Sequence, residues 1–405
     1  MVNVFRLFSG GVSELREAAF PQNHFNSRSA VVKGNTTVQG SAAKNKDLRL
    51  EQFDTKIAKL HLRGQWKVDE LLVKAIGGPQ PAGVPYVWKW SEVYPLLVEA
   101  CDVIPESFTA RRHLSFLNPG IERGGATHTI RMGLQMVRPS EIAWAHRHSI
   151  GALRLIVEGN KRAYTVVDGE TCPMEPYDLI LTPPWSWHDH HNESSEHVVW
   201  LDVLDASLVT MLNTIFYEPY AGDRQQTRRE SEAEYIQARI GVLRPTWEKP
   251  RSERLPLRYP WREAEALLQK MTHQTASPYD GLSLEYVNPV TGGPALPTLG
   301  CWVQMLRPGE RTERHRHTSS AIYFVIRGEG ETVVGGERIE WSQHDSFVVP
   351  NWAWHEHCNR SKNDEAILFS VNDVPVYRAL GFYREEPEDS LHMVAAPVVP
   401  APPRS

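Results

Sequence analysis

Cysteine is scarce in this chain: four in 405 residues, Cys101, Cys172, Cys301 and Cys358, widely spaced and with no C-x-x-C pair. Such spacing argues against a disulfide framework or a structural zinc site and points to a reducing, cytoplasmic setting. Long apolar runs are missing too; none approaches the roughly 20 residues a helix needs to span a bilayer. The first stretch, "MVNVFRLFSGGVSELREAAF", places Arg6 inside its short apolar segment and has no signal-peptide cleavage pattern; any transit-peptide character is faint. Nor does charge of one sign dominate. Forty-four basic against forty-nine acidic side chains leave a formal net charge of −5. No basic field argues for nucleic acid or an anionic membrane, and a small neutral or acidic partner fits better.

The chain does have length enough for a large core, and its texture changes along the way. Residues 1–48 are polar and weakly patterned, a flexible arm. Residues 49–104 read as a helical region. Leu50, Phe53, Ile57 and Leu60 fall at helical spacing, "WKVDELLVKAIGG" has an apolar helical face ending at a Gly pair, and Ser91 can cap a helix through "EVYPLLVEACDVI" with Pro95 in its first turn. From 105 to 215, short Val, Ile, Leu and Thr-rich stretches alternate with Gly, Pro and Asp, the pattern of an antiparallel sandwich or barrel. Residues 216–285 form a charged, partly helical linker, with "WREAEALLQKM" its best helix. Strands return over 286–385, and 386–405 are a Pro-rich tail.

The chain also repeats itself. "LQMVRPSEIAWAHRHSIGALRLIVEG" (134–159) aligns without a gap on "VQMLRPGERTERHRHTSSAIYFVIRG" (303–328), and "YDLILTPPWSWHDHHN" (177–192) on "HDSFVVPNWAWHEHCN" (344–359). Upstream, "LNPG" at 117–120 answers "VNPV" at 287–290. Two copies of one β-rich unit imply a duplicated domain.

Each copy carries H-x-H, then a third His in a P-x-W-x-W-H context with Asn four residues beyond: His146, His148, His188 and Asn192, then His315, His317, His355 and Asn359. Residues i and i+2 of a strand share a face, so each pair can reach one ion, and a third His from a neighbouring strand completes a facial set with positions left open. An H-x-H pair alone is often two polar residues on one face. The matching third His, twice over, favours metal ligation, with the second triad a possible second site.

These motifs resemble those of the cupin superfamily, and two units make a bicupin. The blocks "RRHLSFLNPG", "AHRHSIGALRLIVEG", "AYTVVDGE", "WSWHDHHN", "VWLDVLD", "RYPW" and "YVNPVTGGPALPTLGC" look like the gentisate 1,2-dioxygenase family, which includes relatives acting on salicylates and 1-hydroxy-2-naphthoate. The resemblance covers roughly residues 86–385. It implies a mainly β fold of two jelly-roll barrels with an N-terminal helical region and a partly helical linker. It also implies Fe(II), dioxygen and a small aromatic hydroxy acid, gentisate first, with extradiol-type cleavage between the carboxyl-bearing and hydroxyl-bearing carbons, and a homotetramer. There are departures. The common glutamate after the H-x-H pair is absent, its place taken by Ala152 and Leu153 and by Ala321 and Ile322, and Tyr177 and Trp185 stand where glycines are usual. Without that glutamate the set is three neutral imidazoles.

Other residues take expected roles. Arg154, six residues after His148 and read as lying on the same strand face, can anchor a substrate carboxylate; its counterpart is Tyr323. Gln135 can hydrogen-bond substrate or oxygen, although Gln304 matches it. His190 can protonate a bound oxygen species, with Asp202 orienting it. Trp185 and Trp187 can wall the pocket, and Arg111 can pair with substrate charge. Because Arg154 occurs only in the first copy, substrate binding is expected there. Two rival readings are a zinc cupin acting as isomerase or hydrolase and a non-catalytic metal-binding bicupin.

Overall fold

The computed structural model describes residues 39–104, 112–227 and 256–388. It divides into two compact units, Met1–Leu72 and Val73–Ser405. In the smaller unit, α1 (Gln39–Ala58) precedes a 3-10 turn at Gln65–Lys67. Asp54 joins them, accepting a hydrogen bond from Trp66 Nε1 at 3.2 Å and pairing with Lys67 Nζ at 2.9 Å. The arm expected over 1–48 is therefore helical from Gln39 onward; "SAAKNKDLRL" has no proline or β-branched run to stop a helix. Next, α2 (Asp69–Lys74) stops short of Gly77 and Gly78, whose φ values of 90° and 118° end the helical path.

In the larger unit, β1 (Tyr86–Trp88) leads into α3 (Trp90–Val103). Ser91 does not cap this helix. Lys89 occupies the cap position and its side chain makes no capping bond to the helix; the Trp90 N–H donates instead to Asp345 Oδ1 at 2.9 Å. A buried carboxylate from far along the chain does the work expected of a local serine.

The first barrel comprises β2 (Arg112–Ser115), β3 (Arg131–Val137), β4 (Ile142–His148), β5 (Ala152–Glu158), β6 (Asn160–Val167), β7 (Glu170–Met174), β8 (Leu179–Thr182), β9 (His188–Asn192) and β10 (Val198–Leu204). Then come α4 (Ala206–Met211), β11 (Tyr217–Pro219), β12 (Arg258–Tyr259) and α5 (Trp261–Met271). The second barrel comprises β13 (Leu282–Glu285), β14 (Gly300–Leu306), β15 (His315–His317), β16 (Ala321–Arg327), β17 (Glu329–Val334), β18 (Glu337–Ser342), β19 (Ser346–Val349), β20 (His355–Asn359) and β21 (Ala366–Asn372). The described chain closes with α6 (Val374–Ala379) and β22 (Glu385–Pro387).

Each barrel is two facing antiparallel sheets. The first pairs β12-β8-β5-β10-β3-β2 with β11-β4-β9-β6-β7, and the second β1-β19-β16-β21-β14-β13 with β18-β17-β20-β15-β22. The flanking segments are exchanged. β1, which precedes the first barrel, pairs with β19 of the second, whereas β12 in the linker pairs with β8 of the first. The Trp261 N–H at the start of α5 donates to Asp178, the equivalent of Asp345 beneath α3. The duplicated unit thus includes a strand and helix that the motif alignment did not reach.

The large sheets pack back to back. Leu134, Met136, Leu153, Leu155 and Leu201 of one barrel and Val303, Met305, Ile322, Phe324 and Phe369 of the other share one buried cluster. Burying such a side chain fully contributes roughly 1.5–3 kcal/mol. Both faces of the central strands are covered, which is why "ALRLIVEG" reads as a nearly unbroken apolar run and why its arginine stands out. Hydrogen bonds cross this joint in matched pairs: Thr129 Oγ1 donates to Asp373 and Thr298 Oγ1 to Asp205, at 2.5 and 2.6 Å. Tyr177 and His344 also meet there, the hydroxyl 2.8 Å from Nε2. Both adopt positive φ, 62° and 71°, as do Trp185 and Trp352 at 69° and 58°, which explains why glycine is usual at those places.

Candidate active site

His146 and His148 project from β4 and His188 from β9, with His146 opposite His188 in the ladder. Their ring centroids lie 4.3 to 5.5 Å apart, and their ligand atoms all fall within 4.8 Å of one another. Backbone carbonyls fix the tautomers. Nδ1 of His146, His148 and His188 donates to Trp144, Ile150 and Ser186 at 2.7, 2.8 and 3.0 Å, which makes Nε2 the ring nitrogen each can offer to an ion. Burial first, then the neighbouring His146 and Arg154, hold His188 well below the ordinary imidazole pKa, so it is neutral. Its Nε2 is buried with no hydrogen-bond partner. Three converging imidazole nitrogens, with the unpartnered His188 Nε2 among them, fit a divalent metal ion.

Arg154 faces this set from the opposite sheet. A turn at residues 149–151 separates β4 from β5, so Arg154 does not share a strand face with His148; it reaches the interior because the two sheets face each other. It is 3% exposed, with Nε 3.2 Å from Asp202 Oδ1 and Nη1 donating to Thr182 Oγ1 at 2.7 Å. Asp202 lies directly across the β5–β10 ladder from Arg154. Its charge therefore serves the arginine, and the orienting bond on His190 comes from elsewhere: Nδ1 and Thr165 Oγ1 are 2.8 Å apart. His190 is a buried strand residue, its ring 6.0 Å from that of His188.

Gln135 lies on the same interior wall, buried, with Nε2 lacking an acceptor. Gln304 differs, its Nε2 donating to the Asp280 carbonyl at 3.3 Å. Trp187 is not in the wall. Strand alternation turns it outward, where its ring meets Arg147 at 4.5 Å and Tyr220 at 5.0 Å. Trp185, 48% exposed, packs on Phe216 at the rim. Arg111 lies outside the described residues.

His113 was not singled out by its sequence, yet it sits opposite Gln135 in the β2–β3 ladder and leans over Gly133. A Cβ on Gly133 would fall 2.7 Å from His113 Cε1 and 2.2 Å from the Leu114 carbonyl oxygen. Alternation from Arg111 in "ARRHLSF" was the signal that could have found it. Thr182 and Thr165 were also missed; comparing Thr182 with its counterpart Val349 would have flagged the first.

Comparison with known proteins agrees with this geometry. The cupin domain family model matches twice, over residues 133–204 and 302–372. A 1-hydroxy-2-naphthoate 1,2-dioxygenase of Nocardioides sp. (strain KP7) is 49% identical over 355 residues, covering 87% of this chain and 92% of the relative. Gentisate 1,2-dioxygenase 1 of Aquipseudomonas alcaligenes is 34% identical over 338 residues, 83% of this chain and 95% of that one. The crystal structure of a salicylate 1,2-dioxygenase from Pseudaminobacter salicylatoxidans superposes with a TM-score of 0.75 at 30% identity, over 84% of this chain and 98% of the other. Likeness of this degree, spread over nearly the full length of each relative, means that the chain belongs to the gentisate 1,2-dioxygenase family of two-cupin, ring-cleaving enzymes.

Proposed function

We propose that the protein uses dioxygen to open the ring of an ortho-hydroxy aromatic acid between its carboxyl-bearing and hydroxyl-bearing carbons, with Fe(II) held by His146, His148 and His188, and that 1-hydroxy-2-naphthoate is the leading substrate. One observation carries the reading: a three-imidazole set and the buried Arg154 guanidinium share the interior of the first barrel. Fe(II) at the triad supplies Lewis acidity and a path for electrons between ring and oxygen, which no side chain can offer.

The chain's own residues do the rest. Arg154, fixed by Asp202 and Thr182, receives the substrate carboxylate through charge-assisted hydrogen bonds. Gln135 donates its buried amide to a substrate oxygen. His190, held by Thr165, exchanges a proton at the hydroxyl of the ring. Gly133 packs against the Leu114 carbonyl and the His113 imidazole, so no side chain projects toward the ring from this position. Both oxygen atoms stay in the product: the carboxyl-bearing carbon becomes a ketone and its neighbour a new carboxylate. Only one of these carbons bears a hydroxyl, so the extradiol label, made for vicinal diols, is not carried over.

The substrate order departs from gentisate first because the naphthoate-cleaving relative is more similar over more of the chain. The four free thiols support a reducing, cytoplasmic setting, and no helix among the described residues is long and apolar enough to cross a membrane. Leu71, Leu72, Val73 and Ile76, 60% to 79% exposed, support a homotetramer built through this helical segment. In an oxygen electrode, anaerobically Fe(II)-loaded protein should consume one O2 per 1-hydroxy-2-naphthoate, faster than with gentisate, salicylate or substituted salicylates. Uptake with none of them, or turnover with zinc and no oxygen uptake, sinks the reading; faster uptake with gentisate replaces the substrate. Light scattering should give four chains.

A further inference from the structure

We propose that the second barrel holds a closed metal site: His315, His317 and His355 bind a divalent transition-metal ion that takes no part in ring cleavage and staples the smaller sheet of that barrel. The inference concerns the other barrel and does not depend on which ring acid the first one opens.

Three observations carry it. First, the donors converge as tightly as in the first barrel, with ligand atoms within 4.8 Å and ring centroids 4.2 to 5.6 Å apart. His317 and His355 donate Nδ1 protons to the Ser319 and Ala353 carbonyls at 2.8 and 2.9 Å, and His355 Nε2 is fully buried with no partner. An imidazole-only set of this kind suits borderline ions such as Fe(II) or Zn(II).

Second, the interior has no place for an aromatic acid. Gly133, Arg154, Met174 and Ile180 are replaced by Trp302, Tyr323, Trp341 and Phe347. Tyr323 stacks on Phe347 at 4.8 Å, Trp341 on Phe347 at 6.1 Å, and the Tyr323 ring stands 4.9 Å from His357, the residue matching His190. The arginine's partners are gone as well, Asp202 becoming Ser370 and Thr182 becoming Val349. Metal ligands are kept where the substrate volume and its charge anchor are not.

Third, the triad spans two strands. β15 is three residues long and meets β20 at the pair His315↔His355, and upstream the bridge Arg311↔Cys358 and the Thr312 N–H donating to the His357 carbonyl at 2.9 Å join the same segments. An ion shared by His315 and His317 of one strand and His355 of the other adds a tie at the end of this ladder.

The test is a crystal of the full chain, reconstituted with Fe(II) or Zn(II) and soaked with salicylate, measured at the absorption edge of the metal. Anomalous peaks are expected at both triads, with salicylate density at the first only. A peak at the first triad alone overturns the metal assignment, and salicylate against His355 overturns the closure. In solution, wild-type protein should carry two ions per chain by elemental analysis. His355→Gln should carry one, keep its oxygen uptake within about twofold at 20 °C and melt at lower temperature. Two ions retained in His355→Gln, or loss of ring cleavage while one ion stays bound, contradicts the staple. Should His355→Gln not fold, His317→Gln and the anomalous map decide the matter.

Discussion

One row of side chains crosses the large sheet of the first barrel as Gly133, Asp202, Arg154 and Ile180; in the second barrel the same row reads Trp302, Ser370, Tyr323 and Phe347. The ladders are matched residue for residue, so the difference is chemical. In one barrel a buried ion pair stands across from a histidine triad; in the other, stacked aromatic rings occupy the equivalent positions. A duplicated fold can therefore keep its scaffold and its ligands while only one copy retains the means to hold a carboxylate.

The strongest break of this comparison is at the ligands. His188→Ala should lower oxygen uptake roughly a thousandfold or more, because without the third imidazole the ion that polarises the substrate is not held. His355→Ala should leave uptake within about threefold, with both variants followed in the oxygen electrode. Next comes the charge anchor. Arg154→Tyr, which copies the second barrel, leaves Asp202 as a lone buried charge and should cost about 3–5 kcal/mol of stability by denaturant titration. It should also reduce kcat/KM about a hundredfold or more. Adding Asp202→Ser should restore much of the stability and none of the activity, which separates the structural from the functional role of the pair.

A smaller effect is expected at Gly133. Alanine there must displace the Leu114 carbonyl or the His113 ring, costing about 1–3 kcal/mol and altering the ratio of kcat/KM between bicyclic and monocyclic acids. Smallest is the orienting hydroxyl. Thr165→Val should lower kcat about tenfold with KM little changed, since His190 loses its fixed pose, while Thr332→Val, beside His357, should leave kcat alone. Equal losses from the two threonine variants would mean that the barrels are not divided as described.

Much of the site was legible because its signals are local. The H-x-H pair needs only the two-residue strand period, and Arg154 drew attention as a cation inside an apolar run. Other readings failed where a neighbour decides. The sequence suggests Asp202 as the partner of His190, yet the β5–β10 register puts it across from Arg154. Trp187 adjoins a ligand in sequence, and that adjacency is what turns it outward. Ser91 looked like a cap, but the carboxylate that serves α3 belongs to Asp345. Residues 49–104 and 216–285 differ too much in sequence to be matched by eye, although β1–α3 and β12–α5 occupy equivalent places on opposite barrels.

The sequence by itself determined the duplication, the two histidine triads and the asymmetry at Arg154. Each follows from spacing and from the cost of burying a charge, which hold wherever the strand ends up. Only the tertiary structure decided which carboxylate neutralises that arginine, that the second interior is filled, and that each flanking strand, β1 and β12, joins the sheet of the other barrel. These depend on which strands pair and which sheets face, and such non-local choices are set by the packing of the whole molecule.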